Sequence, residues 1–237
     1  MADFEITHAA AIPDTTASAE RIAAFLRAAY GWMCGGLAIT AATAWFVASS
    51  PTLLTTIARS GPLYIGLIIA QLGIVFYLSA RVQRLSASTA SLLFIGYSVL
   101  TGVTLSFIML LYTGEALAST FVVAAGMFGS MALYGTVTRR SLAGWGQFLF
   151  MGLIGVVIAS VVGIFWQHDG FQFVTSFIGV IVFTGLAAYD AQRLKSMALM
   201  TSAGATESYA IVGALTLYLD FVNLFLMLLR FSSGRRR

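Results

Sequence analysis

The stretch from Tyr209 to Arg230 constrains the fold most, because it is apolar enough to cross a bilayer and yet carries a carboxylate near its middle. A membrane-spanning helix needs about 20 predominantly apolar residues. At helical spacing Asp220 shares a face with Gly213, Thr216 and Asn223. A carboxylate at bilayer depth costs about 2.5–3.5 kcal/mol on insertion scales, so this face is expected to meet protein or water and not lipid.

The distribution of apolar residues predicts an integral membrane protein. Only 9% of the 237 residues are charged and 59% are hydrophobic, whereas a soluble domain has about 25% charged residues. Apolar blocks separated by glycine, proline and charged residues predict an all-α bundle of seven transmembrane helices. The seven predicted spans are 29–49, 62–80, 91–112, 118–137, 147–167, 172–191 and 209–230. The longest predicted loop is 192–208.

The charge pattern divides the chain into three parts and orients it. Residues 1–27 form a polar N-terminal tail with a helix expected from about Ser18, residues 28–231 form the membrane domain, and residues 232–237 form a short basic tail. Cytoplasmic loops carry an excess of lysine and arginine, so we expect a cytosolic N-terminus in a cell membrane. Eight of the thirteen basic residues then lie inside: Arg21, Arg27, Arg81, Arg84, Arg139, Arg140, Arg193 and Lys195.

The C-terminal residues Arg235 to Arg237 leave two alternatives open. Seven full spans place this basic tail outside, against the positive-inside rule, whereas a re-entrant last segment would return it to the cytosol. Seven full spans is the interpretation adopted here.

The side chains needed by common enzymes and cofactors are missing from the sequence. The single cysteine, Cys34, excludes an internal disulfide and a cysteine-based metal cluster. A rhomboid-type protease requires a histidine within a span, but neither His8 nor His168 lies in a predicted span. A retinal protein requires a lysine in the last helix, but the sole lysine, Lys195, is predicted in a loop. No HExxH, Walker or GxSxG motif occurs. We therefore expect that the protein is not an enzyme and has no resident cofactor. The net charge of +4 comes from basic residues at the ends of the spans and does not indicate nucleic-acid binding.

Asp190 and Asp220 are the two acidic residues within predicted spans, at the end of the sixth and inside the seventh. Two carboxylates in a low-dielectric site cannot both ionise cheaply, and such a pair titrates as a unit. Arg81, Arg84 and Arg193 are predicted at the same membrane face. The sequence therefore predicts a proton-sensitive latch, in which protonation weakens an arginine pairing and lets helices separate.

Other interpretations of the two carboxylates stay open. Asp190 could form a solvated interfacial pair with Arg193, and Asp220 could be a structural aspartate bonded to Thr216, Asn223 or another helix. The deprotonated oxygens could also hold Ca²⁺, but two carboxylates fall far short of the usual six to eight ligands. Any Ca²⁺ binding at the pair would be weak and transient.

Four segments resemble the Bax inhibitor-1 family. They are the closing GALTLYLDFVNLFLMLLR, the AYDAQR that ends the sixth span, the GVTLSFI of the third span, and ALYGTVTRRSLAGWGQFLFMGLIGVVIASVVGIF from the fourth span into the fifth. The resemblance covers about residues 20–231. It is strongest to the bacterial members, which include the modulator of the membrane protease FtsH.

This resemblance implies a seven-helix bundle whose last helix is surrounded by the others, and a pH-sensitive Ca²⁺ leak. It implies that Asp190 and Asp220 are the sensor pair, and that an arginine of the second helix, Arg81 or else Arg84, pairs with the first aspartate in the closed state. The implied partners are the bilayer, Ca²⁺ and protons. The alternative function is a non-conducting regulator of an FtsH-type protease, which would grip residues 1–27.

Two departures from the family pattern limit what is carried over. The segment between the two aspartates is longer than in compact members, and Arg235 to Arg237 replace the lysine-rich tail of eukaryotic members. Tail-based regulation is therefore not expected.

Overall fold

A computed structural model describes residues 15–166, 168–201 and 206–233 of the chain. In these ranges every regular element is a helix. The helices are α1 (Thr15–Ala48), α2 (Pro51–Arg59), α3 (Gly61–Arg81, followed by a 3₁₀ turn, Val82–Arg84), α4 (Ala87–Leu105), α5 (Ile108–Leu111), α6 (Gly114–Val137), α7 (Ala143–Phe165), α8 (Asp169–Met200) and α9 (Thr206–Ser233).

Within the described ranges, seven segments are long and apolar enough to cross a membrane, which confirms the predicted fold class. Six of them are single helices: α1, α3 with its 3₁₀ turn, α6, α7, α8 and α9. The remaining span joins α4 to the short α5 across a break at Ser106. The start of α1 at Thr15 lies close to the helix expected from about Ser18.

The predicted loop over 192–208 is wrong for most of its length. The sixth spanning helix, α8, continues to Met200, and α9 already begins at Thr206. At 1.5 Å per residue the 32 residues of α8 extend about 48 Å, which exceeds the roughly 30 Å hydrocarbon layer. Lys195, predicted in a loop, therefore lies on a helix that projects beyond the apolar layer. Short α2 was also not predicted; its Leu54 and Ile57 pack on Val47 of α1.

Residues 1–14 and 234–237 lie outside the described residues. The prediction of a protease partner depends on residues 1–14. The location of the basic tail depends on residues 234–237. Both stay predictions.

The last helix, α9, is the centre of the bundle, as the resemblance implied. It packs against α1, α4, α6 and α8, and 61% of its most apolar stretch is buried. Leu217, Tyr218 and Leu224 have no exposed surface. Burial on all sides explains why this helix accommodates polar residues that lipid would reject.

A buried cluster of hydroxyl groups fastens α9 to α1 and α4. Thr40 Oγ1 donates to the carbonyl oxygen of Ser98 at 2.9 Å. Because this bond uses the single hydroxyl hydrogen of Thr40, the Tyr218 hydroxyl must donate to Thr40 Oγ1, 2.6 Å away. The rings of Phe94 and Tyr97 pack edge-on against Tyr218, with centroids at 5.8 and 5.7 Å.

Close backbone contact fixes the part of α8 that carries Asp190. A Cβ atom at Gly135 of α6 would collide with the backbone carbonyl of Ala188, so glycine is what lets α6 and α8 approach here. Further along α8, Lys195 Nζ donates to the carbonyl oxygen of Thr136 at 2.9 Å, and Gln192 Nε2 donates to that of Arg140 at 2.9 Å. These bonds tie α8 to the end of α6 and to the α6–α7 loop.

Candidate functional site

The candidate site lies where α8 and α9 cross the middle of the bundle. The side chains of Asp190 and Asp220 hydrogen-bond to each other, and they are 7% and 6% exposed. A carboxylate can only accept a hydrogen bond, so a bond between two carboxyl groups requires a proton on one of them. Asp220 Oδ2 is buried with no hydrogen-bond partner. The structure thus brings the two carboxyl groups into direct contact in the core of the bundle.

One end of the bundle, called the basic end here, carries Arg81, Arg84, Arg139, Arg140, Arg193 and Lys195. The opposite end, called the far end, carries the starts of α2, α6 and α8. The antiparallel order of the spans assigns every helix terminus to one end or the other.

A cavity of about 380 Å³ opens beside Asp190 at the basic end. One wall is formed by α8 and α9, including Asp190, Arg193 and Thr216, and the facing wall by the end of α3 with its 3₁₀ turn. The positive charge of Arg193 acts on Asp190. Asp190 is therefore the member of the pair that meets this cavity. Its lining is Ser79, Val82, Gln83, Asp190, Arg193, Leu194, Met197, Tyr209, Val212, Gly213 and Thr216.

A second cavity, of about 480 Å³, lies at the far end between α3, α4 and α9. Its polar lining includes Gln71, Thr101, Thr104 and Asn223. The Nε2 atom of Gln71 is 3.5 Å from both the Leu100 carbonyl oxygen and Thr104 Oγ1, which is the long limit of a hydrogen bond. These polar groups face a shared space at the depth of the spans.

The two cavities follow one face of α9 and nearly meet. Thr216 is the last α9 residue that lines the basic-end cavity, and Leu219 is the first that lines the far-end cavity. Three residues of helix correspond to a rise of about 4.5 Å. Asp220 lines neither cavity and directly follows Leu219, the first α9 residue of the far-end cavity.

Thr216 and Asn223 were predicted to share a helical face with Asp220, but their side chains are directed elsewhere. Thr216 Oγ1 donates to the Val212 carbonyl oxygen of its own helix at 3.3 Å, so its hydroxyl is directed away from Asp220. Asn223 faces the far-end cavity. Of the partners left open for Asp220, the structure shows a residue on another helix, Asp190.

The three arginines considered for a latch are placed differently. Arg193 lies on the same helix as Asp190 and so cannot tie two helices together. Arg81 and Arg84 are exposed at the end of α3 and its 3₁₀ turn and do not line the cavity. Their neighbours Ser79, Val82 and Gln83 do line it.

The pair alone does not make a metal site. Among the residues that the structure describes, no group of three or more His, Cys, Asp or Glu side chains could hold a metal ion. A Ca²⁺ ion needs six to eight oxygen ligands. An ion at Asp190 would therefore keep most of its water and pass on readily.

Sequence reasoning found the α8 and α9 residues Asp190, Arg193, Thr216 and Asn223 but missed the residues of α3 that face them across the two cavities. Gln71 gave a signal, since it is a lone amide within an apolar span, but its facing residues depend on how α3 and α4 pack.

Comparison with known proteins places the chain among bacterial membrane proteins. The family model described as "Inhibitor of apoptosis-promoting Bax1" matches residues 22–237. The inner membrane protein YbhL of Escherichia coli is 50% identical over 215 residues, which cover 90% of this chain and 92% of that protein. A protein of Borreliella burgdorferi is 41% identical over 90% of this chain and 92% of its own length. One from Caulobacter vibrioides is 36% identical over the full length of both.

Proposed function

Because this chain belongs to the Bax inhibitor-1 family, we propose that it is a multi-pass membrane protein that leaks cations, including Ca²⁺, along the polar face of α9. The Asp190–Asp220 pair senses protons and controls the leak. The basic end faces the cytosol of a bacterial inner membrane, in keeping with the positive-inside rule and with the name of the Escherichia coli relative.

The observation that carries this proposal is the near meeting of the two cavities between Thr216 and Leu219, directly before Asp220 on α9. Along the axis of α9, Thr216 and Leu219 are about 4.5 Å apart, which is less than one helical turn of about 5.4 Å. Intramembrane carboxylates that face water-sized spaces mark ion and proton pathways. A small displacement of a neighbouring helix would join the cavities into one polar path.

The helix that moves is α3. It contributes the wall opposite Asp190, and Leu78 is the one buried residue along it. Arg81 lies between Ser79 and Val82, which both line the cavity. An inward shift of α3 would bring the Arg81 guanidinium towards Asp190 and close the cavity.

The sign of the pH response follows from this arrangement. An ionised Asp190 attracts Arg81 and holds α3 inward, whereas a protonated Asp190 does not. The leak is therefore low at neutral pH and rises as the pH falls through the titration of the pair.

Reconstituted vesicles loaded with a Ca²⁺-sensitive dye test this function. Asp190→Asn removes the charge that attracts Arg81, so we expect a high leak without pH dependence. Asp220→Asn places an amide donor beside Asp190, which favours its ionised form and displaces the response to more acidic pH. Asp169→Asn is the matched control, since Asp169 lies on the same helix but is exposed at the far end.

The same assay identifies the arginine. Arg81→Gln should raise the leak at neutral pH, and Arg84→Gln should leave it unchanged. A leak that neither aspartate substitution alters would overturn the proposed function.

A further inference from the structure

A second feature of the bundle, separate from the two polar cavities, is an apolar crevice between α1 and α6. It consists of two chambers of about 430 and 470 Å³. Both chambers are lined by Leu37, Phe121 and Phe221, so they are parts of one crevice with a waist at these residues. The rings of Phe121 and Phe221 touch at the waist, with centroids 5.4 Å apart.

The crevice exists because small residues line both helices where they flank α9. Cys34, Ala41 and Ala44 line it from α1, and Ala118, Ala125 and Gly129 line it from α6. A Cβ atom added at Gly129 would meet no atom within 4 Å. Its floor is the central helix, at Phe221, Val222 and Phe225.

The rim of the crevice faces the hydrocarbon layer. On α6 the flanking side chains of Val122 and Leu133 are 69% and 65% exposed, and exposed apolar side chains on a spanning helix meet acyl chains. From Gly114 to Thr136 the crevice follows α6 for about 33 Å, close to the roughly 30 Å thickness of the hydrocarbon core. It therefore opens sideways into the bilayer along nearly its whole depth.

The polar groups along the crevice are already bonded within the protein. The Thr40 hydroxyl bonds to Ser98 and Tyr218. Thr136 Oγ1 donates to the Ala132 carbonyl oxygen at 2.8 Å, and the side chain of Tyr30 hydrogen-bonds to Thr136, which bridges α1 and α6 at the basic end. Ordered water needs two to four polar partners, and apolar cavities stay dry or take up apolar molecules. Water is thus a poor occupant of this space.

We propose that the crevice is a binding site for an acyl chain of a bilayer phospholipid. The chain enters sideways between α1 and α6, packs on the small residues of both walls, and reaches α9 at Phe221. Phe221 directly follows Asp220, so the bound chain contacts the helix that carries the proton sensor. Lipid that merely surrounds the bundle would not touch these α9 residues, because Phe221 and Val222 are buried.

Photo-crosslinking of the full-length protein tests the site. The protein is reconstituted in phosphatidylethanolamine–phosphatidylglycerol vesicles that contain a trace of phosphatidylcholine with a mid-chain diazirine. Mass spectrometry then locates the lipid adducts. We expect adducts on Phe221, the buried α9 residue that lines both chambers, together with adducts on outward-facing residues.

Two glycines of α6 provide a matched pair of variants. Gly126 and Gly129 are both exposed, and a Cβ atom at either one would meet no atom within 4 Å, but only Gly129 lines the crevice. Gly129→Leu should lose most of the α9 adduct, whereas Gly126→Leu should keep it. Alkylation of Cys34, an exposed residue that lines the same chamber, blocks the crevice in the folded wild-type protein. It gives the same test if Gly129→Leu does not fold.

Two results would overturn the proposal. The first is adducts confined to outward-facing residues that line neither chamber, such as Val123 and Val137. The second is an α9 adduct that survives both Gly129→Leu and Cys34 alkylation.

Discussion

The last spanning helix, α9, and the second, α3, have equal mean hydropathy, yet they occupy opposite environments in the bundle. In the most apolar 18-residue stretch, 61% of α9 is buried but only 6% of α3. The side-chain hydrogen bonds of the two helices differ in the same way. Tyr218 of α9 bonds to Thr40 of α1 at 2.6 Å, whereas Gln71 of α3 contacts α4 only at 3.5 Å, the long limit of a hydrogen bond. The comparison teaches that hydropathy sets which segments span, while polar residues set which one is central. It also separates a buried central helix that carries Asp220 from a peripheral helix with little buried surface.

The largest effect should come from shortening equivalent leucines in the two helices. Leu224 of α9 has no exposed surface, and Leu72 of α3 is 54% exposed. Leu224→Ala leaves a cavity in the packed core and should lower the free energy of unfolding by about 2–5 kcal/mol. Leu72→Ala removes contacts with lipid and should cost far less. Unfolding in mixed detergent micelles measures both, and equal losses would break the contrast between the helices.

A smaller effect should follow from removing one polar anchor of each helix. Thr40→Val removes two buried hydrogen bonds, one to the Ser98 carbonyl oxygen and one with the Tyr218 hydroxyl, for which Thr101 remains as a partner. Each such bond contributes about 0.5–1.5 kcal/mol. Gln71→Leu removes only the weak contacts at 3.5 Å and should leave the free energy of unfolding nearly unchanged. If the variant at Gln71 is the less stable of the two, α3 is anchored more firmly than the structure indicates.

The smallest effect should come from adding one methyl group at a glycine in each helix. A Cβ atom at Gly213 of α9 would collide with the side chain of Leu194, whereas one at Gly73 of α3 would meet nothing within 4 Å. Overpacking costs about 1–3 kcal/mol, and alanine regains about 1 kcal/mol of helix propensity over glycine. Gly213→Ala should therefore be mildly destabilising, and Gly73→Ala neutral or stabilising. A Gly213→Ala protein as stable as the wild type would show that Leu194 moves aside freely.

Much of this architecture could be predicted from the sequence, because the bilayer imposes length and apolarity on each span. The pairing of Asp190 with Asp220 followed from finding one acidic partner within the predicted spans, and a carboxylate at bilayer depth needs a partner. The extension of α8 to Met200 could not be predicted in this way. Its residues around Gln192 and Lys195 are too polar for a span but remain helical because they bond to the end of α6 and its loop.

Other features depend on packing that no spacing in the sequence indicates. Thr40 and Tyr218 look like ordinary span residues, and their bond arises only where α1 and α9 cross. The two polar cavities and the apolar crevice likewise result from gaps between helices that are distant in sequence.

The central claim is that α3 moves relative to a fixed core when the aspartate pair takes up a proton. Pulsed electron paramagnetic resonance between spin labels at Gln83 and Ser196 measures this motion directly, in a Cys34→Ala background. Both positions are exposed, Gln83 in the turn after α3 and Ser196 on α8. Labels at Ser130 and Ser196 report on α6 and α8, which pack together, and serve as the control.

We predict that the Gln83–Ser196 distance lengthens on acidification. Asp190→Asn should hold this distance at its long value at all pH values, and the Ser130–Ser196 distance should stay constant. A Gln83–Ser196 distance that does not change while the Ca²⁺ leak responds to pH would contradict it.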